Sequence, residues 1–266
     1  MIQVQDQTLR LENDVTIALR WFYDPESYKK NPDLPVIILL HEALGCIDMW
    51  KDFPSKLAEK TGLPVLAYDR EGYGQSSPLR HERQPDYLQK YGQEELPQIV
   101  NILSIKKPIL FGHSDGGSVA MYYAAKFDPL AIITEAGHVF VEKITEQGIK
   151  DALQIWETTN LKDKLARYHG DKTETIFMAW AKTWLSDPFL KWNMEEDTKS
   201  ITCPTLILQG AEDEYGSIKQ VDSIFNHVSG PKKSLILEDC RHIPHLQKMD
   251  VVLDATQDFL VQLPKE

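Results

Sequence analysis

Cysteine is scarce in this chain: Cys46, Cys203 and Cys240 form an odd, widely spaced set with no CxxC pair. That excludes a disulfide framework and offers no zinc-ligand spacing, so no metal is expected; a reducing, cytoplasmic setting fits. Basic residues are also short, 29 Lys and Arg against 40 Asp and Glu, for a net charge of -11. Such a surface repels polyanions, which argues against nucleic acid and anionic lipid as partners. No apolar stretch approaches the roughly 18 residues that cross a bilayer. The opening MIQVQDQTLRLEND has no basic segment leading into an apolar one, so neither membrane insertion nor export is expected. Internal repeats and low-complexity tracts are missing too. With 42% hydrophobic and 26% charged residues the composition is that of an ordinary folded protein. Its 266 residues suit one domain carrying an inserted piece.

What is present is a rhythm of short apolar runs. QTLRLE (7–12) and VTIALRWFY (15–23) alternate apolar and polar residues, as antiparallel strands joined at Asn13-Asp14 would, at the sheet's starting edge. After the loop KKNPDLP come VIILLH (36–41), PVLAYD (64–69), PILFGH (108–113), LAIITEA (130–136), PTLILQG (204–210) and SLILED (234–239). Most are separated by segments with apolar residues three and four apart, such as GGSVAMYYAAKFD and SIKQVDSIFNHV. Alternating β and α units predict a mostly parallel central sheet with helices on both faces, an α/β fold. Residues 141–199 break the rhythm: they hold no convincing strand but carry Trp156, Trp180, Trp184 and Trp192. They are expected to form a helical insertion after the sixth strand.

FGHSDGG (111–117) is the sharpest chemical signal. It is a G-x-S-x-G between a strand and a helix, a turn so tight that Gly112 and Gly116 must lack side chains, and it lifts the Ser114 hydroxyl above the sheet. The Asp115 N–H, at the start of the helix, would point at an oxyanion formed beside Ser114. A serine needs a base and a group to orient that base. GAEDEYG (210–216) places Asp213 just past a strand end, with Glu212 and Glu214 beside it as substitutes. SLILEDCRHIPHL places His242 past the next strand, with His245 as rival base. Asp213 is the leading acid; Glu135, at the end of LAIITEA, is the alternative acid.

GHSDGG, DREGYGQSS (69–77), PTLILQGAEDEYG and CRHIPHL together resemble the α/β-hydrolase fold family, in its branch of bacterial carboxylesterases and aromatic-pathway hydrolases. The resemblance spans nearly the whole chain. It implies a core domain of residues 1–140 and 200–266 and a helical cap at 141–199. It implies Ser114 as nucleophile, Asp213 as acid and His242 as base, and it makes the Ala43 N–H, in the loop after VIILLH, the second oxyanion donor. The family commonly has His-Gly where this chain has His41-Glu42. Ser76, in DREGYGQSS, is read as a turn residue.

Glu42 has two readings. HEALG resembles the Q-E-x-x-G segment of dienelactone hydrolases, whose glutamate interacts with the nucleophile, there a cysteine; alternatively Glu42 points outward and accepts local backbone N–H groups. The aromatic residues of the insertion include candidates for an apolar pocket wall over Ser114, among them Trp156, Trp180 and Trp184. Others would serve the insertion's own packing. Glu42, His138 and His169 are further candidate substrate contacts. The expected activity is a serine hydrolase without cofactor, cleaving a small carboxylic ester or lactone with an apolar or aromatic part through an acyl-enzyme. A C–C bond hydrolase, a thioesterase or acyltransferase, and a catalytically weak binding protein on the same scaffold are the alternatives.

Overall fold

In the computed structural model, which describes residues 1–12 and 14–263, eight strands form one sheet. They are β1 (Gln3–Arg10), β2 (Thr16–Tyr23), β3 (Val36–Leu40), β4 (Val65–Tyr68), β5 (Pro108–His113), β6 (Ala131–Glu135), β7 (Thr205–Gly210) and β8 (Lys232–Leu237). Their order across the sheet is β1-β2-β4-β3-β5-β6-β7-β8. The β1–β2 and β2–β4 pairs are antiparallel and all others are parallel.

Sequence explains the order. All side chains of β3, β5 and β7 are buried, as strands covered on both faces require. Consecutive residues face opposite sides: Ile37 and Leu39 belong to one core, Ile38 and Leu40 to the other. β1 (QVQDQTLR) buries only Leu9 and takes the edge.

The helices follow the same logic. Between β2 and β3 lies α1 (Pro25–Lys30), and between β3 and β4 lies α2 (Phe53–Thr61). α3 (Tyr87–Lys90) and α4 (Leu96–Ile102) precede β5, and α5 (Asp115–Ala124) follows it. Between β6 and β7 run α6 (Lys143–Thr158), α7 (Leu161–His169), α8 (Thr173–Trp184) and α9 (Glu195–Thr198). α10 (Ile218–His227), α11 (Pro244–Gln247) and α12 (Met249–Val261) complete the chain. α2 and α12 pack Phe53, Leu57, Val252 and Phe259 against one face of the sheet. Leu96, Ile99, Val119, Val221 and Ile224 cover the other. Each such fully buried side chain contributes about 1.5–3 kcal/mol relative to exposure. Among the described residues no helix is long and apolar enough to cross a membrane.

Several boundaries differ from the sequence reading. β1 starts at Gln3, because it pairs with β2 along its whole length from Gln3↔Tyr23. Its first six side chains are exposed, so no alternation marked them. The expected turn residue Asn13 lies outside the described residues. β8 starts at Lys232, two lysines before the apolar run. Helix α1 and the helical stretch 87–95 had no strong periodicity. In the latter, Tyr91–Glu95 widen into one π turn just before Pro97, which has no N–H to return to the preceding turn.

Glu95, at the end of that turn, is buried; its Oε2 accepts the Glu71 N–H at 3.2 Å, and its Oε1 has no partner. Burial pushes its carboxyl up to about 8, against the opposing pull of the Glu71 N–H and Arg70. A carboxyl with a raised folded-state pKa binds its proton more tightly folded than unfolded, so its contribution to stability falls as pH rises from about 4.5 towards about 8. Glu95→Gln keeps an oxygen for the Glu71 N–H and cannot ionise. It is expected to raise the melting temperature by a few degrees at alkaline pH, at roughly 2–4 °C per kcal/mol, and by less in mild acid. Equal shifts in melts at the two pH values would contradict this.

Candidate active site

The turn from β5 into α5 is built by its glycines. A Cβ at Gly112 would collide with the Gly116 carbonyl, and one at Gly116 with the Leu40 carbonyl. Ser114 sits at φ 54, ψ -118, a conformation that costs a non-glycine residue about 1–3 kcal/mol. Its N–H donates to the Glu135 carbonyl at 2.8 Å, and its own carbonyl accepts from Gly117 (2.8 Å) and Ser118 (3.3 Å). C=O and N–H of a trans peptide point oppositely. The Asp115 N–H therefore points back out of the helix start. The Asp115 carboxylate is buried and accepts from Tyr87 Oη at 2.5 Å; that hydroxyl accepts from Trp184 Nε1 at 2.7 Å.

His242 and Asp213 meet Ser114 from the next two strand ends. His242 Nε2 lies 3.0 Å from Ser114 Oγ, and Nδ1 lies 2.9 Å from both carboxylate oxygens of Asp213. Asp213 Oδ1 also accepts the N–H groups of Tyr215 (2.8 Å) and Gly216 (3.2 Å), and Oδ2 accepts Gln209 Nε2 (2.7 Å). Burial alone would raise the Asp213 carboxyl, but the charge and hydrogen bond of His242 and the Tyr215 N–H outweigh it and hold the carboxyl below the usual range.

The neighbouring candidates are placed elsewhere. Glu212 is exposed and Glu214 pairs with Arg241 at 3.0 Å. Glu135, the alternative acid, does not reach His242: its Oε2 lies 2.5 Å from Nδ1 of His245, both buried. That pair removes Glu135 as acid and His245 as base together.

The HEALG loop is held at two carbonyls, that of Leu44 by His169 Nε2 at 2.9 Å and that of Glu42 by three donors. Glu42 O accepts from His41 Nδ1 (2.7 Å), Arg70 Nη2 (2.8 Å) and Gly45 N (3.1 Å). In the same trans peptide the Ala43 N–H must point the other way, and Ala43 lines the cavity at Ser114. Among the described residues, neither this N–H nor that of Asp115 has an acceptor within the protein. The Glu42 side chain fits neither expected reading. It folds over Gly45, where a Cβ would collide with it, and its Oε2 lies 3.5 Å from Nδ1 of His113. His113 Nε2 in turn donates to the His242 carbonyl at 2.7 Å. Burial opposes ionisation of both Glu42 and His113, yet each holds the other charged: Glu42 well below the usual carboxyl range, His113 up to about 9.

Ser114 opens onto a cavity of about 170 Å³. Leu44, Ile149, Trp180, Trp184, Tyr215 and Ile243 form its apolar wall; Glu42, His113, His138 and Thr145 add polar groups beside Ala43, Asp115 and His242, and no Lys or Arg is among the lining residues. Trp180 and Trp184, four apart on α8, thus lie where the sequence suggested. Trp156 does not: it stacks on Phe177 at 4.0 Å inside the helical segment, where a flat apolar partner is available. His138 lines the cavity with its Nε2 3.2 Å from the Tyr215 carbonyl. His169 lies outside it, accepting the Gly74 N–H and donating to the Leu44 carbonyl. Ser76 spans Asp69 O and Ala18 N within the turn. Sequence reasoning missed Leu44, Thr145, Ile149, Tyr215, Ile243 and the role of His113, although Leu44, His113, Tyr215 and Ile243 lie inside the quoted motifs. A larger cleft of about 370 Å³ lies against α3 and α4, but its charged walls pair internally, Arg80 with Glu71 and Lys90 with Asp86. It contains no activated nucleophile.

His113, Glu135 and His245 have the residue types of a metal site, with candidate ligand atoms within 4.8 Å of one another. The direct His245–Glu135 hydrogen bond uses the atoms that an ion would need. Ligands of one small ion stand farther apart than 2.5 Å, since each lies about 2.0–2.2 Å from the metal in a near-tetrahedral array. Within the cluster the Glu135–His245 pair is hydrogen-bonded, while His113 turns Nε2 to the His242 carbonyl.

Residues 35–139 match a family model described as alpha/beta hydrolase fold. Over 238 residues the chain is 26% identical to serine hydrolase BPHL of Homo sapiens, covering 84% of this chain and 78% of that protein. It is 24% identical over 248 residues to 3-oxoadipate enol-lactonase 1 of Acinetobacter baylyi, covering 86% and 90%. The crystal structure of the enol-lactonase from Burkholderia xenovorans LB400 superposes with a TM-score of 0.73 over 96% of this chain and all of that one, at 14% identity.

Proposed function

We propose that this chain, whose residues 35–139 match the alpha/beta hydrolase fold model and which is similar along most of its length to hydrolases of that fold, is a hydrolase of the α/β-hydrolase fold family that cleaves an uncharged carboxylic ester or lactone through an acyl-enzyme on Ser114. The observation that carries this reading is the unbroken line Ser114 Oγ–His242–Asp213, at 3.0 and 2.9 Å, opening onto an apolar cavity. Asp213 fixes the His242 tautomer with Nδ1–H facing the carboxylate, leaving Nε2 to take the Ser114 proton. Ser114 Oγ attacks the carbonyl carbon, and the Asp115 and Ala43 N–H groups receive the oxyanion. The alcohol leaves with the proton from His242; water then repeats the sequence and releases the acid. Residues 141–199 act as a cap whose Trp180 and Trp184 bound the apolar part of the substrate.

The charge of the wall selects within this class. Glu42 lines the cavity, the lining holds no Lys or Arg to pair with a substrate carboxylate, and the one charged imidazole there, His113, is fully buried and already faces Glu42; an unpaired buried charge is costly. Neutral p-nitrophenyl esters are expected to exceed chain-matched hemiesters of dicarboxylic acids in kcat/KM by about tenfold or more, which is about 1.4 kcal/mol. Equal values would contradict the charge argument. The reaction class itself is tested with a fluorophosphonate probe: stoichiometric labelling at Ser114 is expected, and an inert Ser114 would remove the proposal.

A further inference from the structure

The imidazole of His113, next to the nucleophile, has a part in neither proton transfer nor oxyanion binding as described above. It is fully buried, and its two nitrogens face two different loops. Nε2 donates to the His242 carbonyl at 2.7 Å and Nδ1 faces Glu42 Oε2 at 3.5 Å. Among the described residues, the other backbone ties of the His242 loop lie on either side of that residue, the nearest being the Arg241 N–H to Gln247 Oε1 at 2.8 Å. Upstream, the Cys240 carbonyl accepts from Glu212 N; downstream, the Ile243 carbonyl accepts from Leu246 and Gln247. At His242 itself, the backbone anchor is His113.

We propose that Glu42 and His113 form a positioning ion pair that grips the His242 carbonyl and thereby sets the base over Ser114. The proposal rests on His242 being the base of the reaction above. A neutral imidazole has one N–H. With that proton on Nε2 for His242, the Nδ1 lone pair would face a carboxylate; with it on Nδ1, the Nε2 lone pair would face a carbonyl. Only the imidazolium presents an N–H to both, donating to the His242 carbonyl and setting its charge beside the carboxylate. Glu135 lies on the same side as a second carboxylate, and the rings of His242 and His245 stand 5.2 and 5.0 Å away, with Trp50 at 6.4 Å. The two acids together offset burial and keep His113 charged up to about pH 9. The pair has a second effect. A lone carboxylate in the wall of the oxyanion site would oppose the developing charge, and the His113 cation beside it offsets that field while its two nitrogens stay turned to Glu42 and the His242 carbonyl.

Histidine side-chain nitrogen NMR of the full chain tests the pair directly, with His113 assigned from His113→Gln. In the unsubstituted protein His113 is expected to stay doubly protonated through neutral pH. In Glu42→Gln its titration should move down by about one unit or more. The same variant should lose about tenfold in kcat on p-nitrophenyl acetate, with KM changed less than about twofold, as a displaced base would. Glu42→Asp, which retains the charge, should keep His113 protonated at neutral pH and recover part of kcat; it also serves if Glu42→Gln does not fold. An unmoved His113 titration or an unchanged kcat in Glu42→Gln would overturn the proposal, and so, should that variant not fold, would a His113 that is singly protonated at neutral pH in the unsubstituted protein or in Glu42→Asp. Ser114→Ala keeps the two readings separable. If it hydrolyses esters normally, the nucleophile assignment fails, whereas the His113 titration reports on the pair in either case.

Discussion

Ser114→Ala is expected to lower turnover of short p-nitrophenyl esters by at least about 10⁴-fold. It should abolish labelling by a fluorophosphonate while leaving the melting temperature within a few degrees. The loss follows from removing the hydroxyl that lies within reach of both His242 Nε2 and the cavity. The small stability effect follows from the backbone: alanine bears the same φ of 54 that serine does and gives up one hydrogen bond to a partly solvated imidazole. Ser114→Gly separates the two effects. It should be equally inactive yet more stable, by up to about 1 kcal/mol, because glycine adopts positive φ without strain. Retained hydrolysis in both variants, measured on freshly purified protein, would show that another group performs the attack.

Asp213→Asn is the second large effect, with an expected drop in kcat of about 10³–10⁴-fold and a preserved fold. Asp213 accepts on every side: Tyr215 and Gly216 N–H groups on Oδ1, Gln209 Nε2 on Oδ2, and His242 on both. An amide has one acceptor end, so either orientation sets its NH₂ against a donor. His242 then gains by exposing an Nδ1 lone pair to that NH₂, which puts the proton on Nε2 and leaves no base for Ser114. The pH behaviour has a fixed sign. A carboxyl whose folded pKa is depressed contributes stability above its unfolded value, near 3.8, and loses it as pH falls through the lower folded value. The difference in melting temperature between the unsubstituted protein and the Asp213→Asn variant should therefore shrink on acidification. Substantial activity in the variant would relocate the acid, but Glu135 is already committed to His245.

The fold was legible where burial leaves a mark on composition. VIILL, PILFGH and TLILQG are apolar because helices cover both sides, and the 112–116 turn announces itself because only glycine fits there. β1 was legible only in part, since an edge strand with both faces wet has no pattern to show. The site divides the same way. Ser114, Asp213 and His242 each follow a strand, so topology alone brings them to one edge. Side-chain partners across loops leave no such trace: nothing in the spacing of HEALG and FGHSDGG says that Glu42 turns to His113 instead of Ser114 or solvent. Trp180 and Trp184 were separable from Trp156 only once α6 and α8 had been placed, because all three sit in similar amphipathic surroundings and only Trp156 finds Phe177 to stack on.

One hydroxyl joins two parts of the site that could have been independent. Tyr87 Oη accepts from Trp184, a wall of the cavity, and donates to Asp115, whose backbone begins the nucleophile's helix. A substitution at Trp184 that reshapes the acyl pocket also releases Tyr87 and, through it, Asp115. If Ser114 is the nucleophile as proposed, substrate range and turnover both depend on this one hydroxyl. An enlarged pocket should carry a cost in kcat even for substrates that fit it, and compensating changes are to be sought at Tyr87, away from the cavity.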